Sequence, residues 1–118
     1  MDDGRNSYNN LMEVIMTSKQ RAYLKSLAMS LEPVYQVGKA TITPEMTKGI
    51  DEVLEARELI KISVLKNCVA DPQEIAQILA ERTHSEVVQV IGKKIVLYRK
   101  SSTKPKIELP AADKVKKG

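Results

Sequence analysis

The sequence predicts a single small α/β domain whose elements run helix, strand, helix, strand, helix, strand, strand. Three observations carry this prediction. Two helix starts, Thr43-Pro44 and Asp71-Pro72, pair a capping residue with a proline at the first helical position, and apolar residues recur behind each at helical spacing. Two β-rich runs, Glu86 to Ile91 and Lys94 to Arg99, are separated only by Gly92-Lys93, the length and residue type of a tight hairpin turn. Finally, helical crossovers favour parallel neighbours whereas the hairpin must be antiparallel, so the four strands make a mixed sheet.

Taken in order, Thr17 or Ser18 caps a first helix in which Leu24, Leu27, Ala28 and Leu31 recur at helical spacing, with Arg21 and Lys25 four apart on its flank. Pro33 ends it. Val34 to Val37 reads as a short strand and Gly38 to Ile42 as the connection to a second helix. That helix buries Met46, Ile50, Val53 and Leu54 and turns Glu45, Asp51, Glu52 and Glu55 outward. Leu59 to Leu65 is β-rich and central. Asp71, Pro72 and Glu74 then open a third helix with Ile75, Ile78 and Leu79 on its inner face. In the final hairpin, glycine at the first central position suits a type II′ turn. No internal repeat is present.

Residues 1–15 are polar and lack an apolar period, which reads as a flexible or appended leader, with Met16 as an alternative start. Residues 101–118 carry five lysines, two prolines and few apolar side chains, the composition of a flexible basic tail. The folded domain is therefore expected over 16–100. In a chain of 118 residues, 42% of them hydrophobic, folding buries roughly two-thirds of the unfolded surface, enough for one core. With no Phe and no Trp that core is aliphatic, which argues against base stacking on sheet aromatics. No apolar run approaches the roughly 20 residues that span a bilayer, and Asp2 and Asp3 stand where a signal peptide would be basic. A cytoplasmic protein is expected, with no membrane partner.

Cys68 and His84 are the sole cysteine and histidine, which excludes a disulfide framework and an ordinary Cys/His zinc site within one chain. Cys68 follows an apolar strand and reads as an inert thiol; His84 reads as a helix-end or surface residue. Asp51, Glu52, Glu55 and Glu58 read as a solvated helix face rather than an acid pair or metal site. No catalyst, cofactor, metal or small-molecule substrate is expected.

Gly38-Lys39 fails as a Walker loop, because Pro33 and Ala40 occupy the positions that need glycine and Ser or Thr. A strand, a loop with glycine and lysine, and a capped helix nevertheless remain, and such a terminus offers backbone N–H groups and a positive dipole end to phosphate. Gly38, Lys39, Ala40, Thr41 and Thr43 form this candidate clamp, and Lys48 lies one turn into the helix. Lys19, Arg21 and Lys25 add a basic surface on the first helix. Arg99 and Lys100 either extend it or are simply a charged strand end. The net charge is +4, and from Lys93 onward nine Lys and Arg face only Glu108 and Asp113, a pattern suited to a polyanion.

The run Thr17 to Ala28, then Val37-Gly38-Lys39 with Thr43 four residues later, and finally Val90-Ile91-Gly92 with Leu97-Tyr98-Arg99 together resemble the CRM domain (chloroplast RNA splicing and ribosome maturation), in its stand-alone bacterial YhbY-like form. The resemblance covers about Met16 to Arg99. It implies a fold similar to the C-terminal domain of translation initiation factor three and a KH-like glycine loop that binds RNA. It also implies association with large-subunit ribosomal RNA or its precursor, with ribosomal proteins as further partners. One departure concerns the loop, where Thr41 stands in place of the family's second glycine. The resulting expectation is a non-catalytic RNA-binding protein of large-subunit assembly. The alternative is a protein-interaction module on the same particle, acting through the acidic helix face or the apolar sheet edge.

Overall fold

A computed structural model describes residues 16–38 and 42–111. The expected leader, the loop residues Lys39, Ala40 and Thr41, and residues 112–118 lie outside the described residues. The elements are α1 (Ser18–Ala28), β1 (Pro33–Val37), α2 (Pro44–Arg57), β2 (Leu59–Val64), α3 (Pro72–Thr83), β3 (Glu86–Ile91) and β4 (Lys94–Tyr98).

The helix starts form as the sequence predicts. The Thr17 hydroxyl accepts the Gln20 N–H at 3.0 Å, and the Gln20 side chain accepts the Thr17 N–H at 3.1 Å, a reciprocal capping box. Thr43 caps α2 and Asp71 caps α3, each with proline in the first turn. At the hairpin tip Gly92 has φ +57, whereas the non-glycine residues with positive φ among those described are Glu58 and His84. Lys93 is therefore not left-handed, which fits the type II′ reading rather than type I′.

The sheet order is β1-β2-β4-β3. β1 runs parallel to β2, while β4 is antiparallel to both β2 and β3 and lies between them. The strands separate two layers. On one face α2 and α3 bury Val37, Ile50, Leu54, Ile60, Ile62, Leu79, Ile95 and Leu97. On the other, α1 covers Leu59, Val88, Val96 and Tyr98 with Leu24 and Ala28. The second face is only half covered. Register places Gln36, Ser63, Lys94 and Ile91 in one row across the sheet, beyond the end of α1, with Lys61, Val96 and Gln89 in the row beside them.

The β3–β4 pairing slips between Val87 and Gln89, so Val88 is an extra residue in the ladder. Arg21 compensates: its Nη1 donates to the Val87 carbonyl at 2.7 Å and the Val88 carbonyl at 3.0 Å. This arginine fastens α1 to the carbonyls at the bulge.

Residues 101–111 do not form the free tail that composition suggested. Glu58, the fully buried C-cap of α2 at φ 70, accepts the backbone N–H groups of Ser101 at 2.7 Å, Lys106 at 2.8 Å and Ile107 at 2.7 Å. Glu55 accepts the Ser102 N–H and the hydroxyls of Ser101, Ser102 and Thr103. Ile107 and Leu109 pack on the α1 cluster, and Gln20 donates to the Pro110 carbonyl at 3.0 Å. The segment is a strap over the α1 side of the sheet. Its backbone amides find carboxylates, which is why a segment so poor in apolar residues can be ordered.

Candidate nucleic-acid interface

The end of the sheet that carries Gly38 is built by three connections. Leu65 donates its N–H to the Val37 carbonyl at 2.8 Å, and Val64 donates to the Lys93 carbonyl at 2.7 Å. Gly38, the Lys66-Asn67 turn and the Gly92-Lys93 hairpin tip therefore gather around the end of β2. At Gly38 an added Cβ would meet only ordinary contacts, with Leu65 at 3.5 Å and Asn67 at 3.6 Å. Neither packing against the described residues nor a left-handed φ requires glycine there.

The N-terminus of α2 supplies fewer donors than a bare helix end. The Thr43 hydroxyl accepts the Met46 N–H at 3.1 Å, and Thr47 directs its N–H and hydroxyl to the Thr43 carbonyl. Pro44 has no N–H. Of the first four helical positions only Glu45 is not accounted for in this way, and its carboxylate lies at the positive end of the helix dipole. Thr43 is thus a cap first, although its hydroxyl proton can still be donated outward. Lys48 is exposed, but Glu45, Asp51 and Glu52 lie three or four residues away on the same helix, so its local field is weakened.

Two predicted contact residues are committed inside the protein. Arg99 lies beyond the end of β4, and its Nη1 donates to the Asp51 carboxylate and to the Thr83 carbonyl at 2.7 Å. Its Nη2 donates to the Asp51 carbonyl at 3.0 Å and to Glu55 at 3.4 Å. The guanidinium joins α2 to the C-terminal end of α3, where a cation is favoured. Arg21 is spent on the bulge in the same manner. Both arrangements have one cause: several donors in a planar fork satisfy converging carbonyls and carboxylates better than a lysine can.

Lys19 is exposed in the first turn of α1 and Lys100 is exposed beyond the end of β4, whereas Lys25 is half-buried and faces the uncovered half of the sheet. There it meets lysines that sequence reasoning did not single out as site residues. Lys61 points from central strand β2 into the space beside Lys25, and Lys94 occupies the next row. Lys66 and Lys93 are exposed at the same end. Among the described residues, none of these five lysines has an acidic partner within ion-pair distance. Strand alternation around buried Ile60 and Ile62 could have marked Lys61, because it must point to the face opposite the main core.

The acids concentrate on the opposite layer: Glu45, Glu52, Glu74 and Glu81 are all exposed on α2 and α3. The expected solvated face is only partly that, since Asp51, Glu55 and Glu58 are engaged. Hydrogen bonds from Ser102 and Ser101 hold Glu55 at about 2, well below its ordinary 4.5. Burial pushes Glu58 up, but the N–H groups of Ser101, Ile107 and Lys106 outweigh it and leave the carboxyl below its usual range.

Cys68 is buried beneath the Gly38 end. His84 is the exposed left-handed cap of α3. Among the described residues no cluster of His, Cys, Asp and Glu could hold a metal ion, and no helix is long and apolar enough to cross a membrane.

Residues 16–99 match the family model described as the CRS1 / YhbY (CRM) domain. The chain is 48% identical over 96 residues to the "Probable RNA-binding protein YqeI" of Bacillus subtilis, covering 81% of this chain and all of that one. It is 36% identical over 95 residues to an "RNA-binding protein" of Haemophilus influenzae, covering 80% of this chain and 95% of the relative. Among solved structures, that of hypothetical protein SAV1595 from Staphylococcus aureus, proposed to bind RNA, superposes with a TM-score of 0.69 at 51% identity, over 81% of this chain and all of that chain.

Proposed function

The chain belongs to the CRS1/YhbY (CRM) domain family, and from that premise we propose that it is a cytoplasmic, non-catalytic RNA-binding protein. Its target in this reading is ribosomal RNA of the large subunit or its precursor, met during assembly. Relatives are named as RNA-binding proteins and not as enzymes.

The observation that carries the reading is the gathering of uncompensated lysines at the Gly38 end of the sheet. Lys25, Lys61, Lys66, Lys93 and Lys94 lie on or beside one face, and the exposed acids of α2 and α3 lie on the other. A domain polarised in this way presents its basic side to a polyanion. Gly38 borders that side, and in this reading Lys39, the next residue in the sequence, contributes its charge to the same surface. Glycine at 38, which packing does not demand, leaves the backbone bare for close approach by a phosphate. Thr41 offers a hydroxyl in place of a second glycine.

The rival reading, docking on a protein through the acidic helix face, loses support because Asp51 and Glu55 are turned to Arg99 and the strap.

The test is fluorescence anisotropy with a structured fragment of ribosomal RNA and a duplex DNA of equal length, each across a salt series. Tight, salt-sensitive binding that prefers RNA is expected. Lys39→Glu is expected to weaken it by about tenfold while leaving the thermal transition unchanged; wild-type affinity in that variant rejects the loop assignment. Equal binding of RNA and DNA rejects RNA recognition in favour of unspecific charge.

A further inference from the structure

We propose that the groove between the C-terminal end of α1 and the uncovered half of the sheet holds a short unpaired stretch of RNA, next to the structured RNA gripped by the Gly38 loop. This rests on the RNA-binding reading above and adds to it a second subsite with a different ligand form.

The groove is open, about 600 Å³, and Lys25, Met29, Lys61, Gln89, Ile91 and Val96 line it. That is within the size range of pockets that hold small ligands. Its chemistry is mixed in a particular way. Met29 is 82% exposed and Ile91 60%, two of the five large apolar side chains that the described residues leave open to water. Beside them stand the amides of Gln89 and Gln36 and the hydroxyl of Ser63, on the register rows that cross the same face.

Lys61 is the informative residue. It is half-buried on an inner strand, and its cross-strand neighbours are Val96 and Pro33, neither of which offers a counter-charge. Lys94 is its diagonal neighbour, opposite Ser63, at a side-chain spacing of roughly 7–8 Å. Lys25 reaches the same space from α1. Two lysines that line an apolar floor, with a third in the next register row and none with an acidic partner among the described residues, suit a ligand that alternates charge with flat apolar surface. A single nucleic-acid strand has that alternation, and a duplex does not, because its bases are stacked inside. With no Phe or Trp available, a base would lie on Ile91 and Met29, so sequence preference should be slight.

The experiment compares full-length wild type with Lys61→Gln/Lys94→Gln on two ligands: a blunt RNA stem-loop and the same stem-loop with a six-nucleotide unpaired extension. Anisotropy gives both affinities across a salt series, and circular dichroism confirms the fold. For the wild type the extension is expected to raise affinity about tenfold. The double variant should lose that gain; whatever affinity it also loses for the blunt stem is common to both ligands and cancels in their ratio. Its salt slope on the extended ligand should fall by about 1.4, two charges at roughly 0.7 each for single strands. Ile91→Ser should lower the gain without changing the slope. An extension that adds nothing, or a double variant that keeps the gain and the slope, overturns the groove while leaving stem binding intact. Failure of the wild type to bind even the blunt stem removes the RNA-binding reading itself, and the groove with it.

Discussion

Replacing Glu58 with glutamine tests the strap with a change of one atom. In the wild type one carboxylate oxygen accepts the N–H groups of Lys106 and Ile107 and the other accepts that of Ser101. A glutamine keeps a single acceptor oxygen, and its best orientation retains the pair from Lys106 and Ile107. These two bonds fall from charge-assisted to neutral strength, a loss of about 1 kcal/mol each. The Ser101 N–H then faces an amide NH2, which adds about 1–3 kcal/mol for an unsatisfied buried donor. The sum is about 3–5 kcal/mol, limited by the free energy of releasing the strap altogether, since release lets water solvate the side chain. Urea unfolding at neutral pH measures the global part, and hydrogen exchange at the Ser101, Lys106 and Ile107 amides measures the local part. Those three amides should lose protection together, before the core strands do. A midpoint shift worth less than about 0.5 kcal/mol with unchanged protection would refute the argument that this carboxylate organises the segment.

Acid should release the strap by the same route. Glu55 and Glu58 have folded values below the unfolded one, so their stabilisation is complete above about 4.5 and is lost as the pH falls toward the Glu55 value of about 2. Burial raises Glu86 despite Arg21, so its protonation works in the opposite direction; exchange of the Ser101 and Ile107 amides between pH 5 and 2.5, conditions set for the assay, isolates the strap from it. Arg99→Met should cost about 2 kcal/mol of stability by freeing Asp51 and the Thr83 carbonyl, with RNA affinity of the folded protein unchanged; a loss of affinity without loss of stability would return Arg99 to the interface. Gly92→Ala should destabilise by about 1 kcal/mol, because φ is +57 there with open space around the Cβ, and a thermal melt decides it.

Local chemistry is what made the fold legible. Thr17 with Gln20, Thr43 with Pro44, Asp71 with Pro72 and the Gly92-Lys93 turn each act within a few residues, so their effects are written where they occur. The strap was not legible, because its partners are carboxylates more than forty residues away and its own composition is that of a solvated tail. The sequence marks Arg21 and Arg99 as charged but does not reveal the internal hydrogen-bond partners that each one holds. Nothing adjacent to Arg99 announces Asp51 or the Thr83 carbonyl, and nothing near Arg21 announces a bulge in β3. Lys61 was hidden for a different reason: it sits in an apolar strand whose run of Leu, Ile and Val directs attention to the core.

The place of β4 within the sheet bears on the order of events during synthesis. β4 is last in the chain among the strands, yet it lies between β2 and β3. Until its residues have left the ribosome, β2 and β3 have no partner between them, and each exposes a bare edge of the kind that recruits other chains. The hairpin answers this in time as well as in space. Gly92 lets β4 fold back on β3 within a few residues of the turn, a local event that closes one edge at once. The paired ribbon then docks on β2 as a unit and closes the other, so the short turn at the sheet's basic end also limits how long the nascent chain stays open to aggregation.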